Sequence, residues 1–194
     1  LLQFFFNFLN KKFLAFLKFL NLSLPKQIFM DTLKQLREEL EAEYQTTKRF
    51  LEIYPDDKND YTPHPKSMKM MHLATHIAEV FGWAGFMLNS SELDFAKSGM
   101  QPKFLTTKTE LLQVLDENYK NSTEALEKAS EQDLEPSWAL KNDGHELASW
   151  TKYAAIRHSL SQISHHRAQL GVYYRLNDIE LPGSYGPTAD NPNF

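Results

Sequence analysis

The recurrence of apolar side chains at helical spacing constrains this chain more than any other feature. Leu33, Leu36, Leu40, Tyr44 and Phe50 or Leu51 follow one another at intervals of three, four and six or seven residues, the period at which side chains share one face of an α-helix. Residues 31–54 therefore predict one amphipathic helix that ends before Pro55, because a proline ring cannot continue it. The prolines and Asp/Asn cluster of YPDDKNDYTPHPKS read as a loop. Ser67 is placed to cap a second helix over residues 68–89, with Met71, Leu73, Ile77, Val80 and Phe81 as its apolar positions.

A polar connection, residues 90–106, separates that helix from a third over 107–129, which carries Leu111, Leu112, Val114, Leu115, Tyr119 and Leu126. The fourth spans 148–176. Between the third and fourth, SWALKNDGHEL has short apolar flanks around Asn142-Asp143-Gly144, a turn signal that closes a small hairpin. The tail, LPGSYGPTADNPNF, is too rich in proline and glycine to be helical. Four long helices with one long crossover between the second and third describe an all-α four-helix bundle, with room for a small hairpin before the fourth helix.

The first thirty residues do not match the rest. They hold 8 of the 14 phenylalanines, four lysines and no acidic residue, which leaves 17 basic against 25 acidic side chains, a charge of −8, for positions 31–194. Three readings compete for residues 1–29. As a helix, Asn7, Asn10, Lys11, Lys18 and Asn21 fall on one stripe, which suits a membrane-surface or partner-docking element. As a secretory signal or a spanning helix, the segment is interrupted by Lys11, Lys12 and Lys18. As a non-native extension, it has the Leu, Phe, Asn and Lys that A/T-rich DNA encodes, and the expected natural start is Met30. The domain division is thus residues 1–29 as an atypical extension and 30–194 as the bundle.

Of 194 residues, 42% are hydrophobic and no Gly/Ser-rich linker divides them, so one core is expected beyond the extension. A net charge of −4 lacks the basic stripe of a nucleic-acid binder. The absence of cysteine excludes disulfides, thiolate nucleophiles and sulfur-ligated metals. No glycine-rich phosphate loop, nucleotide fingerprint or Gly-x-Ser-x-Gly elbow occurs. Any metal must sit on nitrogen and oxygen donors, and any sulfur chemistry must come from a bound thiol.

The histidines have a spacing that permits a nitrogen site. On the fourth helix Gln162 and His166 are one turn apart, with His158 a turn before them; on the second, His72 and His76 share the same i, i+4 spacing. Bundles build metal sites from such facing pairs. His165 points about 100° away from His166, so the two adjacent rings do not face one site. Against this stands the plain reading of surface or interior polar histidines. Arg167 and Gln169 likewise read as polar helix-face residues or a salt-bridged dimer contact, and Trp83 as a core residue.

LATHIAEVFGWA (73–84) followed by HHRAQLGVYYRLNDIELPGSYGPTAD (165–190) resembles the DinB-like, or YfiT-like, superfamily of small bacterial four-helix proteins, which is distinct from the similarly named translesion polymerase. The resemblance covers residues 30–194. It implies a bundle with the long crossover, a homodimer, and a divalent metal, zinc or nickel, held by three histidines. Two of these fall on His76 and His166; where many members have the third, this chain has Gln162, a neutral and weaker donor. His72 and His158 are further ligand candidates, and Glu79 is a carboxylate ligand, orienting partner or catalytic base.

The resemblance also implies a metal-dependent transferase that joins a low-molecular-weight thiol to a small electrophile, or a metal-dependent hydrolase; Gln162, where the chain departs from the family, favours a third reading, a non-catalytic, stress-associated binding protein with a degenerate site. Whether the chain is an enzyme stays open at this point. A cytoplasmic location is expected, with no membrane contact unless residues 1–29 are native. Tyr185, Gly186, Pro187 and Asp190 match the family pattern, and they are expected to fix how the tail packs over the bundle.

Overall fold

Helical periodicity accounts for most of the chain in the computed structural model, which describes residues 30–99 and 103–192. The extension over 1–29, with its three competing readings, lies outside the described residues. The helices are α1 (Thr32–Glu52), α2 (Met70–Val80), α3 (Trp83–Asn89), α4 (Lys108–Lys128) and α5 (Lys152–Arg175). Three short strands, β1 (Glu92–Asp94), β2 (Ser137–Asn142) and β3 (His145–Thr151), form one sheet in the order β1-β2-β3. The fold is therefore mainly helical, as the bundle expectation has it, with a small mixed sheet in which β1 joins the hairpin allowed for before the last helix.

Hydrogen bonds between helices fix their directions. Arg37 and Tyr44 of α1 reach Leu126 O and Asp116 of α4, so these two run antiparallel. Thr47 and Phe50 bond to Arg167 and Tyr174, so α1 and α5 run parallel. α2 and α3 lie between α4 and α5, parallel to the first and antiparallel to the second. Leu36, Leu40 and Leu51 of α1, Leu73 and Ile77 of α2, Leu111 and Leu115 of α4, and Ile163 and Leu170 of α5 are all buried between them. The apolar stripes read from the sequence are these inward faces.

The second predicted helix breaks at Phe81-Gly82, for a reason that lies on α4. Carbonyls freed at the break find donors there: Asn118 Nδ2 donates to Ala78 O at 3.0 Å, and the buried Ser122 hydroxyl donates to Phe81 O at 2.5 Å. The same Ser122 Oγ accepts the Gly85 N–H at 3.1 Å, satisfying one of the open donors at the start of α3. A Cβ on Gly85 would lie 3.2 Å from Asn121 O and 3.3 Å from Ser122 Cα, so glycine allows the close approach of α3 to α4. The start of α2 also differs from expectation. Its N-cap is Lys69, which makes no side-chain capping bond, while the Ser67 N–H closes a turn on His64 O.

α4 starts with Thr107 as its cap, in a reciprocal capping box with Glu110. The expected hairpin is present: β2 and β3 are antiparallel, and Asp143 (φ 49°) and Gly144 (φ 79°) make the turn in the left-handed region that Asp-Gly accommodates. Read as a polar connection, residues 92–94 instead pair in parallel with β2. Asp94 joins β1 to the hairpin turn by accepting the N–H groups of Ala96, Asp143 and Gly144. Strand β3 runs to Thr151, which caps α5 by accepting the Ala154 N–H, so the last helix begins four residues later than its periodicity suggests. Trp138, buried, holds the sheet to the bundle through Ser90 Oγ at 3.0 Å and the Phe86 ring.

Beyond α5 the chain turns at Asp178 (φ 57°) and runs back over the seam between α1 and α5. Asp190 accepts from Arg175 and from Leu181 N, and Gly183 O accepts from Arg49. Tyr185 donates to Glu43 at 2.6 Å. Glu43 in turn pairs with Arg167 at 2.5 Å; both are buried, and the Tyr185 ring lies 5.2 Å from the Arg167 guanidinium. Arg167 is thus an internal ion pair under the tail, neither a solvated side chain nor a contact between copies.

Candidate metal centre

Antiparallel packing of α2 on α5 brings His76 and His166 face to face across the bundle. Their ring centres are 4.8 Å apart with the planes at 77°. Both side chains are half-buried. Burial, and after it the charge of His166, lowers the pKa of His76, which favours the neutral imidazole, the form that ligates metals. Trp83, the first residue of α3, lies edge-on to His76 at 6.0 Å, so the break after Val80 places an indole beside this ring. Trp83 also packs against the core, and it serves both places.

His166 is oriented from its own helix. Its Nδ1 lies 2.8 Å from Gln169 Oε1; a ring proton on Nδ1 satisfies that oxygen and leaves the Nε2 lone pair for a ligand. Gln169, three residues on from His166, was readable as its partner from spacing alone. His165 is exposed, with its ring 4.9 Å from that of His166. Gln162, half-buried one turn before His166, places its amide nitrogen 3.2 Å from His158 Nε2. The His158 ring stacks on Trp150 of β3 at 5.2 Å and 20°. No periodic signal points to that contact, because it joins a strand residue to a helix residue across the Thr151 cap.

Among the described residues no hydrogen bond or ring contact joins the two other candidates to the imidazole pair. His72 packs on Phe104 at 4.5 Å. Glu79, one turn beyond His76, is half-buried, and burial raises the pKa of its carboxyl from its ordinary value, against a smaller opposite effect of Lys103. Among the described residues no group of three His, Cys, Asp or Glu is placed to hold a metal ion. A groove of about 500 Å³ along the ends of α3 and α4, lined by Leu88, Asn121, Glu124 and Lys128, contains none of these histidines.

The spacing of the pair can be tested against metal geometry. Metal–imidazole bonds of about 2.0–2.1 Å set a ring centre about 3.2 Å from the ion, so two rings sharing one ion at about 90–110° have centres about 4.5–5.2 Å apart. The observed 4.8 Å falls within that range. The spacing of the two rings fits a shared ion; Gln162, the remaining residue of the expected ligand set, lies one turn before His166 and contacts His158.

Residues 29–191 match the model of the DinB family. The chain belongs to the DinB family. Solved structures with the same fold include a DinB-like protein of Bacillus subtilis, 19% identical with a TM-score of 0.61, covering 77% of this chain and 97% of that one. A DinB-like protein of Bacillus cereus is 16% identical, with a TM-score of 0.61 and coverage of 78% and 97%. YfiT of Bacillus subtilis, described as a probable metal-dependent hydrolase with an unusual four-helix bundle topology, is 15% identical, with a TM-score of 0.57 and coverage of 81% and 95%. At these identities the likeness establishes the DinB fold. None of the curated proteins matches the chain significantly in sequence. Among the described residues no helix is long and apolar enough to cross a membrane.

Proposed function

We propose that this DinB-family protein holds a divalent metal ion, zinc or nickel, on His76, His166 and the Gln162 amide oxygen, and that it joins a low-molecular-weight thiol to a small electrophile. The observation that carries the reading is the 4.8 Å separation of two imidazoles from facing helices, one of them biased by burial toward its neutral form. When bound, such an ion supplies Lewis-acid activation of a thiol or water. The residues of the chain then do the rest. Gln169 holds the His166 ring in one tautomer, Trp83 screens one side of His76, and the absence of cysteine means that the nucleophilic sulfur arrives with the cosubstrate. A homodimer is part of the same proposal, supported by the exposed Val172 of α5 and the exposed Leu176 at its C-cap, one turn apart.

A second reading, metal-dependent hydrolysis, is favoured by Glu79. A carboxyl whose pKa is raised by burial is better matched to accepting a proton near neutral pH, and YfiT carries the description of a probable hydrolase. The test is equilibrium zinc and nickel titration against a chromophoric chelator, on untagged protein and on His76→Ala and His166→Ala. One metal per chain, lost in both variants, is expected. Thiol-dependent conjugation that survives Glu79→Gln then selects transfer, and thiol-independent turnover abolished by Glu79→Gln selects hydrolysis. No binding of either metal by the unaltered protein overturns the metal reading and leaves a non-catalytic binding protein.

A further inference from the structure

Gln162 is a conditional ligand. Only its oxygen carries a lone pair for a cation, and the two rotations of the amide that exchange oxygen and nitrogen differ little in energy unless a neighbour selects one. Its N–H₂ end presented to a metal would repel it. The site as a whole therefore depends on what fixes this amide.

We infer that His158 is the positioning residue that does so. The 3.2 Å contact joins two nitrogens, Gln162 Nε2 and His158 Nε2. With the amide nitrogen on this contact it is the donor, and the imidazole nitrogen accepts in the tautomer that carries its ring proton on Nδ1. The bond anchors the nitrogen end of Gln162 on the side of His158 and turns Oε1 to the other. Among the described residues Oε1 accepts no hydrogen bond, which leaves it available. His158 is itself held. Its ring lies nearly flat on Trp150, so strand β3 braces an exposed helical side chain that would otherwise sample several rotamers. The sequence Trp150, His158, Gln162 thus runs from the sheet to the His166 turn of α5, and it supplies by orientation part of what an imidazole at position 162 would supply by donor strength. The inference rests on the metal reading above.

The experiment measures zinc affinity by chelator competition, together with the side-chain amide resonances of Gln162 in ¹H–¹⁵N spectra of metal-free protein. His158→Phe keeps a ring to stack on Trp150 and removes the acceptor. It is expected to weaken zinc about tenfold, the usual scale for loss of an orienting partner, and to shift the Gln162 amide signals. His158→Gln, whose amide oxygen again accepts, is expected to recover most of the affinity. In Gln162→Glu either rotation presents an oxygen, so His158→Phe is expected to cost less than twofold there. Unaltered zinc affinity in His158→Phe, or unmoved Gln162 signals, overturns the inference while the metal reading stands. Failure of the unaltered protein to bind zinc overturns both.

Discussion

Replacing Arg167 tests the packing beneath the tail more severely than any surface change. Its Nη1 bonds to Glu43 Oε2 at 2.5 Å and to Thr47 Oγ1 at 3.0 Å, and both charged residues are buried. Arg167→Met fills similar volume but leaves the Glu43 carboxylate inside the protein with no cation, a situation that costs about 3–5 kcal/mol. At about 2–4 °C per kcal/mol for a chain of this size, the melting temperature should fall by about 6–20 °C. Removing both partners should cost far less. In Arg167→Met with Glu43→Leu no buried charge remains, and the chief losses are the hydrogen bonds from Tyr185 and to Thr47, about 1 kcal/mol each. Arg167 Nη2 is buried without a partner in the native protein, so the pair is itself incompletely satisfied. Urea unfolding at neutral pH, followed by tryptophan fluorescence across the double-mutant cycle, gives the coupling directly. A double variant as unstable as the sum of its two single variants refutes the argument.

Three further outcomes follow from the elements that shape the site. Ser122→Ala leaves Phe81 O and Gly85 N–H buried without their partner, and should cost about 1–3 kcal/mol in thermal unfolding; a change below about 0.5 kcal/mol would show that the break in the helix does not need α4. Asp94 is acidic for its position: against the upward push of burial, the amides of Gly144, Asp143 and Ala96 and the Lys97 charge hold its pKa below the ordinary carboxylate value. Its contribution to stability is therefore complete above the unfolded pKa of about 4 and is lost as the pH falls through the lower folded value. The stability difference between the native protein and Asp94→Asn should shrink across that interval, and a difference that stays constant down to the acid transition would contradict the assignment. Gly144→Ala forces a side chain into φ 79°, and should destabilise by about 1–2 kcal/mol, with amide exchange accelerating in β2 and β3 first.

The sequence by itself determined what repeats within one element. Leu33, Leu36 and Leu40 share a face because a helix turns every 3.6 residues, whatever packs on them; Asp143-Gly144 signals a tight hairpin because that turn needs positive φ at both positions; the i, i+4 interval puts Gln162 and His166 on one side of α5 before any neighbour is known. The tertiary structure decided everything that depends on which surfaces meet. Periodicity treats His72 and His76 as equals, yet packing sends one to Phe104 and the other to His166. Local pattern runs the second helix through Phe81-Gly82, and only the serine and asparagine of α4 explain how its freed carbonyls are satisfied. β1 has no strand signal of its own, since its partner lies more than forty residues along the chain, and Arg167 reads as a surface cation until Glu43, from the far end of the sequence, is found beside it. The physical reason is the same in each case: backbone geometry is set by neighbours in sequence, whereas burial, charge pairing and the partner of a polar atom are set by neighbours in space.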